Sequence, residues 1–346
     1  MLGSLGMGGV GDDVALSETA RVHELEHRRD RRSDVGIAVV VLVIVAAAAL
    51  RPLLQDLLDK PAVAHWATIF VAITVQAMPF LALGITVSAA IAAFVPDDFL
   101  PRVLPDRPAL AVPVAAVAGA ALPGCECGSV PIAGRLVSRG ALPAAALTFL
   151  LSAPAINPVV LVSTAVAFPG KPEVVAARAL ASLLAATVVG LVWARFGNDR
   201  FLERARRRHS HDGPPLSVMV ETAQHDLLQA GGFLIVGAAT AATLQTAVPR
   251  SILDGVAGSG AASLLALGGL AVVMAICSEA DAFVAASLTQ FSLTSRLAFM
   301  VVGPMVDVKL IALQAGTFGG RFAARFAPLT FAVAMGSAVF VGWWLL

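Results

Sequence analysis

Charge is scarce in this chain. Asp, Glu, Lys and Arg make up 14% of its 346 residues, against about 25% in a soluble globular protein. The net charge is +1, which gives no pull toward nucleic acid or an acidic partner. Cysteine is scarcer still, three residues in all. An odd count leaves no obvious disulfide framework, and Cys125 and Cys127 are too close for a relaxed bridge. Free or ligand-binding thiols are the remaining reading. The sequence also lacks a Walker-type phosphate loop, a GxSxG elbow, an HExxH pair and a CxxC redox pair. Without the phosphate loop the chain does not power itself with ATP.

What fills the chain is apolar. Hydrophobic residues are 58% and the mean hydropathy is +0.84, so the sequence reads as an all-α polytopic membrane protein. A spanning helix needs about 20 apolar residues. Seven stretches qualify: 35–54, 63–94, 142–168, 173–196, 225–248, 295–318 and 327–346. Two regions do not. The run 109–122 is short and followed by another short run, 130–138, and the stretch 261–292 is interrupted at Cys277–Asp281. The expectation is about seven full spans plus two short hairpins, 8–11 segments depending on how the short ones are counted.

The halves match each other. Gln76, Ala77, Phe80, Leu81, Gly84, Ala89, Val95 and Pro96 recur at a constant offset of 153, eight identities in 21 positions. Further on the offset is 150: Cys127 meets Cys277, Pro154 meets Pro304, Asn157 meets Asp307, and Gly170 meets Gly320. The divisions that follow are a cytoplasmic tail 1–34, a first transmembrane helix and loop 35–61, a repeat 62–196, a basic cytoplasmic linker 197–224 and a second repeat 225–346. Arginines at 28–32, 102–107, 135–139, 195–208 and 321–325 fall on one side if 109–139 is a re-entrant hairpin or two short crossings. By the positive-inside rule that side is the cytoplasm. An odd number of crossings then separates the repeats and inverts their topology, the arrangement that supports alternating access.

Chemistry concentrates at the breaks. Pro123-Gly124-Cys125-Glu126-Cys127 and Cys277-Ser278-Glu279-Ala280-Asp281 hold every thiol and most of the acids of the membrane region. Thiolates select soft or borderline ions, and trivalent arsenic is thiophilic by the same logic. Three thiols saturate an arsenite; two suit a monosubstituted organoarsenical. Cys125, Cys127, Cys277, Asn157 and Ser278 are the candidate substrate-binding residues, and the three cysteines are the metal ligands if the cargo is a metal, with no permanent metal site expected. Acids inside a membrane are costly and mark functional sites. Asp307, Lys309, Glu279, Asp281 and Glu126 are therefore candidates for proton coupling or for lining the path. Each has a plainer reading: the thiols as small buried hydrophobes, Glu126 as a helix N-terminal charge, and Asp307 with Lys309 as an ion pair that only holds the fold. Pro123, Gly124, Pro131, Pro154, Pro158 and Pro304 are expected to break helices.

These blocks carry a resemblance. Pro-Gly-Cys-Glu-Cys-Gly-Ser-Val-Pro-Ile-Ala, Ser-Ala-Pro-Ala-Ile-Asn-Pro and Gly-Pro-Met-Val-Asp-Val-Lys are similar to the bacterial permease family that contains the trivalent organoarsenical efflux permeases, with related members associated with copper or zinc efflux. The resemblance covers roughly 62–346 and implies a permease of the cytoplasmic (inner) membrane, with its N-terminus in the cytoplasm. The function expected is proton-coupled secondary efflux of a thiophilic solute, without a cofactor or enzymatic activity; lipid, protons and the solute are the partners. A copper- or zinc-type exporter is the alternative. A membrane thiol enzyme or a metal/redox assembly factor is the alternative of another class.

Overall fold

A computed structural model of the protein describes residues 60–96, 105, 107–120, 125–197, 202, 205, 214–247 and 260–346. The expected first helix, 35–54, and the breakers Pro123 and Gly124 lie outside these. The chain divides into two compact units, Met1–Ala64 and His65–Leu346, and every described site residue is in the second. The described residues contain helices and no strand.

Among the described residues six helices make up the first series: α1 (Pro61–Phe94), α2 (Pro108–Ala120), α3 (Glu126–Ser138), α4 (Pro143–Ile156), α5 (Pro158–Ala167) and α6 (Pro172–Phe196). Six more follow in the same order of long, short and broken: α7 (Pro215–Ala247), α8 (Gly260–Met274), α9 (Asp281–Ser287), α10 (Leu293–Val302), α11 (Val308–Phe318) and α12 (Gly320–Leu345). Among the described residues, five helical stretches are long and apolar enough to cross a bilayer: α1, α4 with α5, α6, α7 and α12. The expected span 295–318 is instead two short helices, α10 and α11, parted at Gly303–Asp307. There Gly303-Pro304 ends one helix and Asp307 caps the next.

Two of the expected breakers do not break. Pro131 lies inside α3 and Pro154 inside α4. A proline within a helix removes one backbone hydrogen bond, to the carbonyl four residues back, and each of these helices continues through that loss. The chain parts one turn beyond Pro154, at Asn157, with Pro158 at the first position of α5. Pro304 falls in the turn between α10 and α11. The linker expected over 197–224 is shorter at its end, because α7 begins at Pro215.

Glycines set how closely the short helices approach the long ones. A Cβ on Gly84 of α1 would lie 2.3 Å from Gly128 Cα in α3, and one on Gly237 of α7 would lie 2.7 Å from Lys309 Cα in α11. Those are backbone contacts, so only hydrogen at these positions permits the packing. Gly140 closes α3 at φ +85°. Ala141 N–H bonds Leu136 O and Gly140 N–H bonds Val137 O, the pair of hydrogen bonds that ends a helix through a left-handed residue. This turn sends α4 back along α3. On the other flank, Trp193 of α6 meets Phe322 and Phe326 of α12 edge-on at 5.2 and 5.6 Å between centroids.

Candidate functional site

The site lies where the broken helices begin and end. Cys125 is the N-cap residue of α3, with extended backbone (φ −85°, ψ 174°). Its carbonyl accepts from Gly128 N–H and Ser129 N–H at 3.1 and 3.3 Å. Glu126 and Cys127 follow in the first turn. In the second series, α8 stops at Met274, and the backbone from Ala275 to Ala280 is non-helical. Ala275 has φ +47°, a left-handed conformation that a residue with a Cβ adopts at a cost of about 1–2 kcal/mol. Cys277 closes this stretch by accepting at its carbonyl from Ala280 and Asp281 N–H at 2.9 and 3.1 Å.

The three thiols are neighbours. All are free and buried, and Cys125 has the side chains of both Cys127 and Cys277 near its own. Cys125 is thus the shared neighbour. Among the described residues no group of three or more His, Cys, Asp or Glu is disposed to hold a metal ion, so the three thiols are not a preformed metal cage.

Lys309 joins the halves beside the thiols. Its Nζ is 2.5 Å from Glu126 Oε1 and 3.3 Å from Asp307 Oδ2, and donates to Ala275 O at 2.8 Å. Glu126 therefore reaches a cation instead of capping α3. The Lys309 and Glu126 side chains are 1% and 0% exposed. Two carboxylates share one ammonium here. Glu126 Oε2 is buried without a hydrogen-bond partner.

Asn157 and Asp307 stand at the two other breaks. Asn157 Oδ1 accepts from Val160 N–H at 3.0 Å, and its Nδ2 donates to Ala153 O at 3.0 Å. Asp307 Oδ1 accepts from Leu310 N–H at 2.6 Å. Both side chains are fully buried. Ser278 is buried, with its hydroxyl unpartnered. Glu279 is half-buried, and its Oε2 lacks a partner.

Asp281 is paired. Arg178 of α6 donates to Asp281 Oδ2 at 2.8 Å, to Ser278 O at 3.2 Å and to Thr164 Oγ1 at 2.8 Å. Another pair lies further along α3, where Arg135 Nη2 is 3.3 Å from Asp226 Oδ2 of α7. Ser88 of α1 donates to the same oxygen at 3.2 Å, and Arg139 donates to Ala92 O. The sequence reading counts Arg135 among the cytoplasmic-side charges; it lies in α3 at 4% exposure. Arg178 and Asp226 are singled out by no motif. The signal available was each charge standing within an apolar helix, which marks a buried pair without naming its partner.

Lys309–Glu126, Arg178–Asp281 and Arg135–Asp226 each connect the first series of helices to the second. Breaking one partner out of a buried pair costs about 3–5 kcal/mol, so these contacts hold the two series together around the thiols.

Residues 62–342 match a family model described as "Predicted permease". The chain is 37% identical over 262 residues to "UPF0718 protein YcgR" of Bacillus subtilis (strain 168), covering 74% of this chain and 89% of that protein. It is 31% identical over 266 residues to "Putative two-component membrane permease complex subunit" of Streptococcus mutans serotype c, covering 75% of this chain and 88% of that protein. No solved structure matches the chain.

Proposed function

The chain belongs to this family of predicted permeases and is a multi-pass membrane protein, and from that premise we propose a secondary active efflux permease for a soft, thiophilic solute. A trivalent organoarsenical or related metalloid is the proposed cargo, and a proton the coupling ion. The observation that carries the reading is that Cys125, Cys127 and Cys277, from two separate helix breaks, are buried as neighbours. A pair of adjacent thiols takes a monosubstituted arsenical, and a third completes the coordination of arsenite. A copper- or zinc-type ion is the alternative cargo of the same thiols.

Burial of the thiols fits a state closed to both faces of the membrane. Transport then requires the two helix series, read as inverted repeats, to part on one side at a time. The Glu126–Lys309–Asp307 trio supports proton coupling. Fully ionised, it holds two negative charges against one positive charge away from water, and an unpaired buried charge is expensive; one proton neutralises it. The proposed location is the cytoplasmic membrane, with the N-terminus inside, as the arginine pattern expects. The Streptococcus relative's name extends the proposal to a second membrane subunit.

The test is a deletion strain and its complemented counterpart, challenged with organoarsenicals, arsenite, antimonite, copper and zinc. Complementation raises resistance to a thiophilic member of the panel, and in vesicles a gradient-collapsing ionophore abolishes the flux. Resistance unchanged across the panel contradicts the cargo class. Flux indifferent to the ionophore contradicts proton coupling.

A further inference from the structure

Cys277 is the thiol whose position is least fixed by its own helices. It lies between α8 and α9, two residues after the left-handed Ala275. Two cations hold this stretch. Before the thiol, Lys309 Nζ donates to Ala275 O at 2.8 Å. After it, Arg178 donates to Ser278 O at 3.2 Å and to Asp281 Oδ2 at 2.8 Å. Lys309 comes from the same helix series as Cys277. Arg178 comes from the series that carries Cys125 and Cys127, and its other arm is fixed on Thr164 Oγ1 of that series at 2.8 Å. The Arg178 side chain is completely buried. A guanidinium presents several donors in a fixed plane, so a shift of α6 relative to α9 cannot keep all three of these bonds.

We infer that Arg178 is a positioning residue that keeps Cys277 beside the Cys125–Cys127 pair, so that a third thiol is within reach of a cargo bound to that pair when the two helix series are closed and is withdrawn when they part. The inference rests on the thiol-site reading above and adds a means of release. Arsenite bound to three thiols has exchanged three As–O bonds for three As–S bonds, each thiol proton leaving in a water molecule. When the series part, one water adds back at arsenic and Cys277 recovers its proton. The cargo is then held by two thiols instead of three, at the moment it must leave. A cargo that needs only two thiols does not sense the change.

The experiment compares arsenite with phenylarsine oxide, a three-thiol and a two-thiol probe, for binding to the purified full-length protein, read by protection of the native cysteines from maleimide. Cys277→Ser sets the benchmark: weakened arsenite binding with phenylarsine oxide little changed. Arg178→Gln alone strands the Asp281 carboxylate, so Arg178→Gln/Asp281→Asn removes both charges together. The double variant is expected to lose arsenite affinity by about 10- to 100-fold, the range for losing a group that orients a ligand, and to keep phenylarsine oxide binding. Equal loss of both probes, or arsenite binding at the wild-type level, overturns the positioning role while the thiol site stands. If the wild-type protein binds neither probe, the thiol-site reading falls, and this inference with it.

Discussion

Asn157 and Asp307 cap two different helices in the same way. Each is the N-cap residue of the second member of a broken pair, and each accepts, at one side-chain oxygen, the backbone N–H three residues on: Val160 for Asn157, Leu310 for Asp307. The amide and the carboxylate serve equally as caps; Asn157 also donates to Ala153 O, whereas Asp307 brings a charge that stands 3.3 Å from Lys309.

Asp307→Asn therefore keeps the cap and removes the charge. Its thermal stability is expected to stay near that of the wild type while proton-dependent transport falls. Asp307→Ala and Asn157→Ala each lose a cap and are expected to lose about 0.5–2 kcal/mol. Thermal unfolding in detergent checks the stabilities and vesicle flux under an imposed proton gradient checks the rest. Asp307→Asn with unaltered coupling removes this residue from the proton step.

Lys309→Met leaves Glu126 and Asp307 buried without their ammonium. Removing one partner of such a cluster is expected to destabilise by about 3–5 kcal/mol. Adding Glu126→Gln and Asp307→Asn to Lys309→Met should restore much of the loss, because the stranded charges go too. Unfolding temperatures of the wild type, the single variant and the triple variant measure the recovery; a triple variant no more stable than Lys309→Met contradicts the shared-ammonium account.

The glycines separate into two kinds. Gly84→Ala would put a methyl 2.3 Å from Gly128 Cα, whereas a Cβ at Gly231 meets nothing within 4 Å. Gly84→Ala is expected to destabilise and to reduce transport, by pushing the thiol-bearing start of α3 off α1. Gly231→Ala is expected to be neutral or to stabilise by up to about 1 kcal/mol through helix propensity. Unfolding temperatures of the two variants, measured side by side, decide it.

Two of the inter-series ion pairs fall on opposite sides of the breaks. With 13 residues in α3 and 14 in α4, both helices climb about 20 Å from the turn that joins them, so Cys125 and Asn157 lie at similar depth. Arg135 is between that depth and the turn, while Arg178 bonds Thr164, which lies beyond Asn157 along α5. Asp226→Asn should expose the native thiols to a membrane-impermeant maleimide from one side of the membrane, and Asp281→Asn from the other. Labelling of both variants from the same side contradicts the placement of these two pairs on opposite sides of the breaks.

The thiols, Asn157 and Asp307 are legible in the sequence because they are rare residues at places where proline and glycine interrupt apolar runs; that Asn157 and Asp307 cap helices is seen only in the structure. The offset of 150 brought Cys127 opposite Cys277 and Asn157 opposite Asp307, and the helix order follows that register. The cross-pairing was not legible. Arg178 and Asp281 are 103 residues apart, and Arg135 and Asp226 are 91; no local pattern links them, and Arg135 reads as a sidedness charge as readily as a buried one. Pro131 and Pro154 misled for a related reason. A proline states that a hydrogen bond is lost, but whether the helix continues depends on neighbours that hold it in place, and both prolines lie on buried faces.

The most direct test of the account is flux of phenylarsine oxide in proteoliposomes carrying the wild-type protein or Cys125→Ser/Cys127→Ser, with a proton gradient imposed. The account predicts gradient-dependent flux with the wild type and background flux with the double variant, folded as judged by its unfolding temperature. Wild-type flux from the folded double variant would contradict the claim that these thiols carry the cargo.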